Sequence, residues 1–290
     1  MCLALKRWLA AVLLAAAAVI VWGFLGSKYA LEVTSYAITT PKLTEAIRIV
    51  QLTDLHNGEF GEDNTRLVRL VQKQHPDLIL MTGDMLNGDE MRTDVVQRLI
   101  EQLAEVAPVY ASRGNHEKAI GKLYGIDVHA LYREAGAVLL ELDHAEITVN
   151  DQQIRLGGVF GYCLAEEYLK SGEAKWAEVE FLKDFQDTEL FTILLCHYPL
   201  CWIVNDNLEQ WDIDCVFAGH THGGQVRLPF VGGVYAPDEG YFPGPCSGLY
   251  YSQDRERVMV LSRGLGSRGK IPRFNNVPEI VVVDILPRME

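Results

Sequence analysis

Residues 47–56 read IRIVQLTDLH, an apolar run rich in β-branched side chains that ends in two polar residues, Asp54 and His56. Such a run predicts a buried β-strand, here over Ile47 to Leu55. Because residues two apart on a strand share a face, we expect the side chains of Asp54 and His56 to point the same way. This stretch therefore predicts a strand that carries polar groups at its carboxyl end.

The same design recurs at four later places. Each is an apolar run followed by polar residues: Asp77 to Met81 before Asp84, Val109 to Ser112 before Asn115 and His116, Phe191 to Leu195 before His197, and Cys215 to Ala218 before His220 and His222. Helical spacing of apolar residues between the first three strands predicts a β-α-β-α-β order. Ligand sites of α/β sheets lie beyond the carboxyl ends of strands, so these loops should meet at one rim.

Further strands are predicted from Thr34 to Ile38, in a pair from Ala137 to Val159, and from Ile280 to Ile285. This order best fits an α/β fold with two sheets packed as a sandwich. The 290 residues are 49% hydrophobic, enough for one sizeable core. Their formal net charge of −13 disfavours nucleic acid as a partner, because an acidic chain repels a polyphosphate backbone.

The N-terminal segment has a different character. Trp8 to Gly26 carries no charge, and its 19 residues approach the roughly 20 that span a bilayer as a helix. Lys6 and Arg7 precede it, which places the N-terminus in the cytoplasm by the positive-inside rule. We predict a membrane anchor or uncleaved signal segment over residues 1–29 and one domain over 30–290, outside the cytoplasm, in a single-pass protein of the cell membrane. A cleaved signal peptide is the alternative, against which the length of the run argues.

The polar residues at the predicted strand ends have the chemistry of metal ligands. Imidazole suits Zn, Mn and Fe, while carboxylate and amide oxygens suit harder ions, and a pair of divalent cations needs a bridging carboxylate. Each motif alone has an ordinary explanation, since Gly-Asp is usually a turn and a lone histidine is usually structural. Together they predict a site for two metals, with seven ligands: Asp54, His56, Asp84, Asn115, His197, His220 and His222.

These motifs resemble the five signature blocks of the calcineurin-like metallophosphoesterases. The blocks are Asp54-Leu55-His56, Gly83-Asp84, Gly114-Asn115-His116-Glu117, His197 and Gly219-His220-Thr221-His222. Three stretches nearer the C-terminus resemble the membrane-linked bacterial branch of that family: Ser262 to Gly266, Pro272-Arg273-Phe274 and Pro278-Glu279. Some members and relatives of that branch hydrolyse UDP-2,3-diacylglucosamine.

The resemblance implies a role for each residue. The ligands divide into one set for each metal, with Asp84 bridging: Asp54, His56 and His222, and Asn115, His197 and His220. The metals would be Mn, Fe or Zn, with Mn favoured. His116 would protonate the leaving oxygen as general acid while a metal-bridging hydroxide attacks phosphorus.

One position departs from the family pattern. Many relatives have a second Asp three residues after the bridging one, where it orients the catalytic histidine. Here that position is Asn87. Glu117 and Asp89 are the candidates to orient His116 in its place.

Two features near the C-terminus have competing interpretations. Arg263, Arg268 and Arg273 offer guanidinium groups to a second phosphate, but each alone is expected to be a solvated surface charge. Phe230 to Tyr251 is rich in Gly, Pro and aromatic residues. It forms either an apolar shelf beside the site or a packed loop with exposed aromatics.

The predicted function is metal-dependent hydrolysis of a phosphate ester or pyrophosphate in a phosphorylated small-molecule or lipid-linked substrate, such as UDP-2,3-diacylglucosamine. The membrane would be a partner through the N-terminal helix. A metal-dependent nuclease or cyclic phosphodiesterase on the same scaffold is one alternative. A non-catalytic metal-binding module is the other, and the complete ligand set together with His116 argues against it.

Overall fold

A computed structural model describes residues 2–160, 176–204, 207–236, 239–267 and 271–288. It begins with one long helix, α1 (Cys2–Tyr29). From Ala4 to Tyr29 this helix is long and apolar enough to cross a membrane, and most of its side chains are exposed. Its last turns differ, because Gly23, Gly26 and Ser27 are buried against the rest of the chain.

The first large sheet is built from both ends of the chain. Its strands are β1 (Glu32–Thr40), β2 (Ile47–Leu52), β3 (Leu78–Thr82), β4 (Val109–Ser112), β5 (Ala137–Leu139) and the C-terminal β15 (Glu279–Pro287), in the order β1-β15-β2-β3-β4-β5. The strands from β2 to β5 run parallel. β15 is parallel to β1 and antiparallel to β2. Four helices accompany these strands: α2 (Thr65–Gln72), α3 (Asp94–Ala104), α4 (Asn115–Tyr124) and α5 (Val128–Ala135).

The second large sheet comes from the middle of the chain. Its strands are β6 (Asp143–Val149), β7 (Gln152–Val159), β8 (Phe191–Cys196), β9 (Cys215–Ala218), β13 (Gly248–Tyr251) and β14 (Val258–Leu261), in the order β13-β14-β9-β8-β7-β6. The four central strands are parallel and the two edge strands antiparallel to their neighbours. Helices α6 (Trp176–Gln186), α7 (Leu200–Val204) and α8 (Asn207–Gln210) belong to this half, and β10 (Val226–Leu228), β11 (Gly232–Ala236) and β12 (Gly240–Tyr241) form a small third sheet.

The two large sheets pack face to face, and alternate residues of each central strand enter different cores. In β2, Ile49 packs in the layer between the sheets, while Val50 and Leu52 pack with the helices on the outer face. In β8, Ile193 packs between the sheets and Leu194 lies on the outer face. Burial on both faces explains why these strands are continuous apolar runs.

The predicted fold class is confirmed, with two sheets between outer helices and one N-terminal apolar helix. The strands β6 and β7 are paired and joined by a turn at Asn150 and Asp151, which have φ of 49° and 59°. Helix α4 was not predicted, because its polar first turn looks like part of a loop. The division of the chain between residues 29 and 30 stays a prediction.

Candidate metal centre

The polar residues that follow β2, β3, β8 and β9 do not continue the strands. Five of them have left-handed backbones: Asp54 (φ 54°), His56 (50°), Asp84 (52°), His220 (72°) and His222 (49°). The prediction that Asp54 and His56 share a strand face is therefore wrong, because β2 ends at Leu52 and the chain turns before either residue. Left-handed non-glycine residues cost about 1–3 kcal/mol each and cluster at functional sites.

Hydrogen bonds between neighbouring loops hold these strained turns. The Asp54 N–H donates to the Gly83 carbonyl at 3.0 Å, and the His56 N–H donates to the Asp84 carbonyl at 3.0 Å. On the other sheet, the Gly219 N–H donates to the His197 carbonyl at 3.1 Å. Each loop is thus fixed by the loop beside it, which preorganises the side chains.

Asp84 lies at the middle of the cluster. Its Oδ2 is 3.3 Å from His197 Nε2 on the second sheet and 3.9 Å from His56 Nε2 on the first. Its Oδ1 accepts a hydrogen bond from the His116 N–H at 2.8 Å. One carboxylate oxygen therefore faces imidazoles from both halves of the molecule, while the other is held by the start of α4.

Asp54 occupies a similar position at one side. Its Oδ2 accepts hydrogen bonds at 3.0 Å from the His220 N–H and from Thr53 Oγ1. Its Oδ1 lies 3.7 Å from His222 Nε2 and 4.0 Å from His56 Nε2. The two imidazoles are themselves close, with 3.2 Å between their Nε2 atoms.

Two groups of side chains have ligand atoms that all lie within 4.8 Å of one another. They are Asp54, His56 and His222, and Asp84, His197 and His220. His56, Asp84 and His116 form a third group of the same kind. The first two groups coincide with the two ligand sets that the family resemblance implies, apart from Asn115.

Buried polar atoms in the cluster fit a bound cation. Asp54 Oδ1 and Asn115 Oδ1 are buried and have no hydrogen-bond partner among the described residues. A buried acceptor without a donor costs about 1–3 kcal/mol, more for a charged group, unless something else satisfies it. Divalent ions are the natural partners of such carboxylate and amide oxygens.

His197 is oriented as metal-binding histidines usually are. Its Nδ1 lies 2.7 Å from the Thr82 carbonyl, so Nδ1–H donates there and Nε2 faces Asp84. Burial disfavours the charged ring, but the charge of Asp84 and the hydrogen bond to it outweigh burial and raise the pKa of His197 to about 10. A proton therefore occupies the place that a metal takes when it binds.

The pKa values of the other groups also indicate a place for a cation. Burial, followed by the negative charge of Asp84, raises the pKa of Asp54. Burial would raise the pKa of Asp84 too, but the positive charges of His197, His56 and His116 and the His197 hydrogen bond hold it well below its usual range. Burial and the charge of His56 lower the pKa of His222. Divalent cations would neutralise the two buried carboxylates together.

Two glycines in the motifs are required sterically. Gly83 has φ of 90°, and a Cβ there would lie 2.6 Å from Gly114 N and 2.7 Å from His197 Nδ1. A Cβ on Gly114 would collide with Asp84 Oδ1. These positions therefore allow the loops after β3 and β4 to approach each other closely enough for Asp84 to be buried.

Glu117 does not orient His116. It is fully buried, and its carboxylate accepts hydrogen bonds from the backbone N–H groups of Asp84, Leu86 and Gly114. The bond from Gly114 N–H caps the start of α4, and the bonds from Asp84 and Leu86 fix the loop that carries Asp84. That candidate for the orienting group was wrong, because Glu117 points back to the cap.

Gly88, which the sequence did not indicate, forms a hydrogen bond to the His116 ring. The Gly88 N–H donates to His116 Nδ1 at 2.8 Å, which leaves Nε2 as the protonated nitrogen of the neutral ring. Nε2 lies 3.9 Å from Asp84 Oδ2. Asn87 instead donates to the His56 carbonyl and to Glu90 Oε1. Because the donor is a backbone N–H, which every residue except proline has, the amino-acid sequence does not indicate it.

The expectation of solvated arginines is wrong for two of the three. Arg273 is 3% exposed, and the side chain of Arg263 is 15% exposed and paired with Glu279 and Glu32. Arg268 lies outside the described residues. The sequence alone does not indicate this burial, because the carboxylate partners of Arg263 come from β1 and β15.

The aromatic segment after the His-x-His loop divides into two parts. Phe230, Tyr241 and Phe242 are exposed, at the small third sheet. Tyr250 and Tyr251 instead pack against the cores of the second large sheet. The segment packs closely against the loop that carries His222, because a Cβ on Gly224 would lie 2.5 Å from Gly233 Cα. Of the two predictions, a packed loop with exposed aromatics therefore describes this segment better than an apolar shelf beside the site.

Comparisons with known proteins agree with this geometry. The family model for calcineurin-like phosphoesterase matches residues 47–224, which include all the residues discussed above from Asp54 to His222. The chain is 29% identical over 276 residues to an uncharacterized metallophosphoesterase of Aquifex aeolicus, covering 89% of this chain and 92% of that protein. It is also 29% identical over 244 residues to phosphodiesterase YaeI of Escherichia coli, covering 82% of each. A third relative, the uncharacterized metallophosphoesterase YkuE of Bacillus subtilis, is 26% identical over 87% of this chain and 84% of its own. The chain belongs to the calcineurin-like phosphoesterases and is a metal-dependent hydrolase of phosphoric esters.

Proposed function

We propose that the protein is a membrane-anchored phosphodiesterase with a two-metal centre, acting on an amphiphilic or cell-envelope phosphodiester or pyrophosphate. The observation that carries this proposal is the position of Asp84, whose Oδ2 faces His197 Nε2 and His56 Nε2 from the two ligand groups. The Escherichia coli relative is named a phosphodiesterase, which supports a diester over a monoester. UDP-2,3-diacylglucosamine is one molecule of this class.

In this proposal each ligand group holds one ion. The first ion would be held by Asp54, His56 and His222, and the second by Asn115, His197 and His220, with Asp84 shared. Two divalent ions bound there supply Lewis acidity and lower the pKa of a bound water. The mixture of oxygen and imidazole donors favours Mn, while Fe and Zn remain acceptable to it.

His116 would supply the proton that the leaving oxygen needs. Its place at the first turn of α4 is fixed by its own N–H to Asp84 Oδ1, and its ring by the Gly88 N–H to Nδ1. Because Nδ1 accepts, Nε2–H is the donor available to a phosphoryl or leaving-group oxygen. The orientation that many relatives obtain from a carboxylate is here assigned to a backbone amide.

The anchor is proposed to stay attached to the domain. The end of α1 packs against the loop before β15, where the Phe24 and Phe274 rings lie 5.0 Å apart and the Asn276 N–H donates to Ser27 Oγ at 2.8 Å. Removal of α1 as a signal peptide would expose these partners. Lys6 and Arg7 favour the N-terminus inside and the domain outside the cytoplasm.

The test uses the full chain in detergent, stripped of metal and then supplied with Mn²⁺, Zn²⁺ or Mg²⁺. Hydrolysis of bis-p-nitrophenyl phosphate and p-nitrophenyl phosphate would be measured together with metal content. We expect Mn²⁺-dependent turnover that favours the diester.

The matched controls are His116→Ala and His129→Ala. His129 is an exposed histidine that pairs with Glu141 away from the cluster. We expect the first variant to lose turnover while retaining its metal, and the second to behave as the unaltered protein. Absence of turnover with every metal, in a chain that binds two ions, would rule out the proposal for these esters.

A further inference from the structure

A cavity of about 580 Å³ lies between the last turns of α1 and the loops at the rim of the first sheet. Phe24, Leu25 and Tyr29 line it from the helix, and Phe60, Leu265 and Pro272 line it from the domain. We call it the anchor cavity. Its volume is within the roughly 300–1,000 Å³ range of small-molecule sites, and its lining is mainly apolar.

The helix is fitted closely to the domain at this place. A Cβ on Gly23 would lie 2.5 Å from the Phe274 ring, so a larger residue would have to displace that ring. The Asn275 N–H donates to the Gly23 carbonyl at 3.0 Å. Specific contacts between α1 and the domain therefore form the anchor cavity. The cavity lies at the end of the segment that is long enough to cross a bilayer.

Arg273 is a charged residue in the lining of the anchor cavity. Its side chain is buried, Nε donates to the Gly266 carbonyl at 2.6 Å, and Nη2 donates to the Arg263 carbonyl. Nη1 is buried and has no hydrogen-bond partner among the described residues. Burial lowers the pKa of this guanidinium to about 10, so it is still charged at neutral pH. A buried guanidinium with a free donor fits an anionic or strongly polar ligand group.

The same wall connects the anchor cavity to the metal loops. Gly58, two residues after His56, lines it. Gly266 also lines it, and its N–H donates to the Asp54 carbonyl at 2.5 Å. Asn276, three residues after the cavity-lining Arg273, donates from Nδ2 to the His222 carbonyl at 2.7 Å. A ligand in the cavity would therefore lie against the backbone that carries the ligands of one proposed metal.

We propose that the anchor cavity binds the hydrocarbon chain of an amphiphilic phosphodiester substrate taken from the bilayer, with Arg273 contacting its polar part. This inference rests on the proposed phosphodiesterase function and names its substrate class. The occupant is an acyl or alkyl chain because the cavity joins the lipid-exposed surface of α1, where Phe24 is 45% and Leu25 50% exposed. A chain can pass from the membrane to this site without crossing water.

The test measures the full chain in detergent with Mn²⁺ on ethyl, octyl and tetradecyl p-nitrophenyl phosphodiesters. We expect kcat/KM to rise about tenfold or more from ethyl to tetradecyl, because additional methylene groups are buried. Hydrolysis of the ethyl ester, whatever the result with the longer esters, would establish the proposed phosphodiesterase activity. Equal kcat/KM for all three esters would overturn the anchor cavity as a substrate site and leave that function standing, whereas no hydrolysis of any ester would count against both.

Leu25→Trp fills the cavity from the helix side. Val21→Trp is its control, on the same helix and outside the cavity lining, with 55% exposure. We expect Leu25→Trp to abolish the preference for the tetradecyl ester, and Val21→Trp to keep that preference and to hydrolyse the ethyl ester as the unaltered protein does. A metal-free sample would be irradiated with a phosphatidic acid that carries a diazirine at the acyl end, and adducts within residues 24–29 or 58–60 are expected. Adducts only along the first turns of α1 would contradict the proposal.

Discussion

The metal centre and the anchor cavity share a wall but are built in opposite ways. The metal centre is polar and buried, and its loops are strained and fixed by hydrogen bonds between neighbouring strand ends, such as Asp54 N–H to Gly83 O. The anchor cavity is mainly apolar, and its walls include segments about 250 residues apart, such as those of Phe24 and Arg273. Both regions therefore join segments that are far apart in sequence, but hydrogen bonds between loops hold the metal centre and apolar packing forms the anchor cavity.

The largest effect should come from the shared carboxylate. Asp84→Ala removes the group that faces both ligand sets, so we expect turnover to fall to background and metal content to fall below two ions per chain. Metal analysis and bis-p-nitrophenyl phosphate hydrolysis measure both. Asp187→Ala, at an exposed aspartate, is the control. Full activity in Asp84→Ala would show that the metal centre is not organised around this residue.

The two regions also differ in how far their sequences predicted them. The rim was predictable because apolar runs such as Val109–Ser112 are strands buried on both faces, and Gly-Asp and Gly-Asn-His mark the turns that follow. The left-handed backbone of Asp54 and His56 was not, since it depends on hydrogen bonds to another loop. Nor was the burial of Arg273, which needs loops that meet only in the folded chain.

His116→Ala should separate chemistry from metal binding. We expect turnover to fall by roughly 10²–10⁴-fold, the usual contribution of a general acid, with metal content unchanged. The loss should be smaller on esters with a good leaving group, which need less protonation. A loss of metal in parallel with turnover would instead make His116 a ligand, as its place in the third side-chain group allows.

Glu279→Gln should weaken the anchor side and spare the metal centre. Its carboxylate accepts from Thr34 Oγ1 and the Arg263 N–H and pairs with the Arg263 side chain, so its loss should cost about 2–4 kcal/mol of unfolding free energy. Chemical denaturation measures this, with the exposed Glu180→Gln as control. Metal content should not change. A Glu279→Gln variant with the same free energy of unfolding as the unaltered protein would show that this network contributes little.

The same residue predicts an acid sensitivity. The charge and hydrogen bonds of Arg263 outweigh burial and hold the pKa of Glu279 below its ordinary 4.5. The folded state therefore gains stability above pH 4.5 that is lost as pH falls through the lower folded value. Unfolding free energy of the unaltered protein should fall over that window more steeply than that of Glu279→Gln, and parallel curves would contradict this assignment.

The smallest effect should come from restoring the carboxylate that many relatives have. Asn87→Asp should give no gain in kcat, because His116 Nδ1 already accepts a hydrogen bond from the Gly88 N–H. In addition, Asn87 Nδ2 lies 2.5 Å from Glu90 Oε1, so a carboxylate at residue 87 would be repelled by Glu90. The measurement is kcat for bis-p-nitrophenyl phosphate across pH. A clear increase would show that the backbone contact is a poor substitute for a carboxylate.

The most direct test of the central claim is metal stoichiometry against activity in the full chain. Metal-stripped protein would be titrated with Mn²⁺ while bound metal and hydrolysis of bis-p-nitrophenyl phosphate are followed together. We predict that two ions bind per chain and that turnover appears with the second, since Asp84 faces both ligand groups. Full turnover with one ion per chain, or saturation at one, would contradict it.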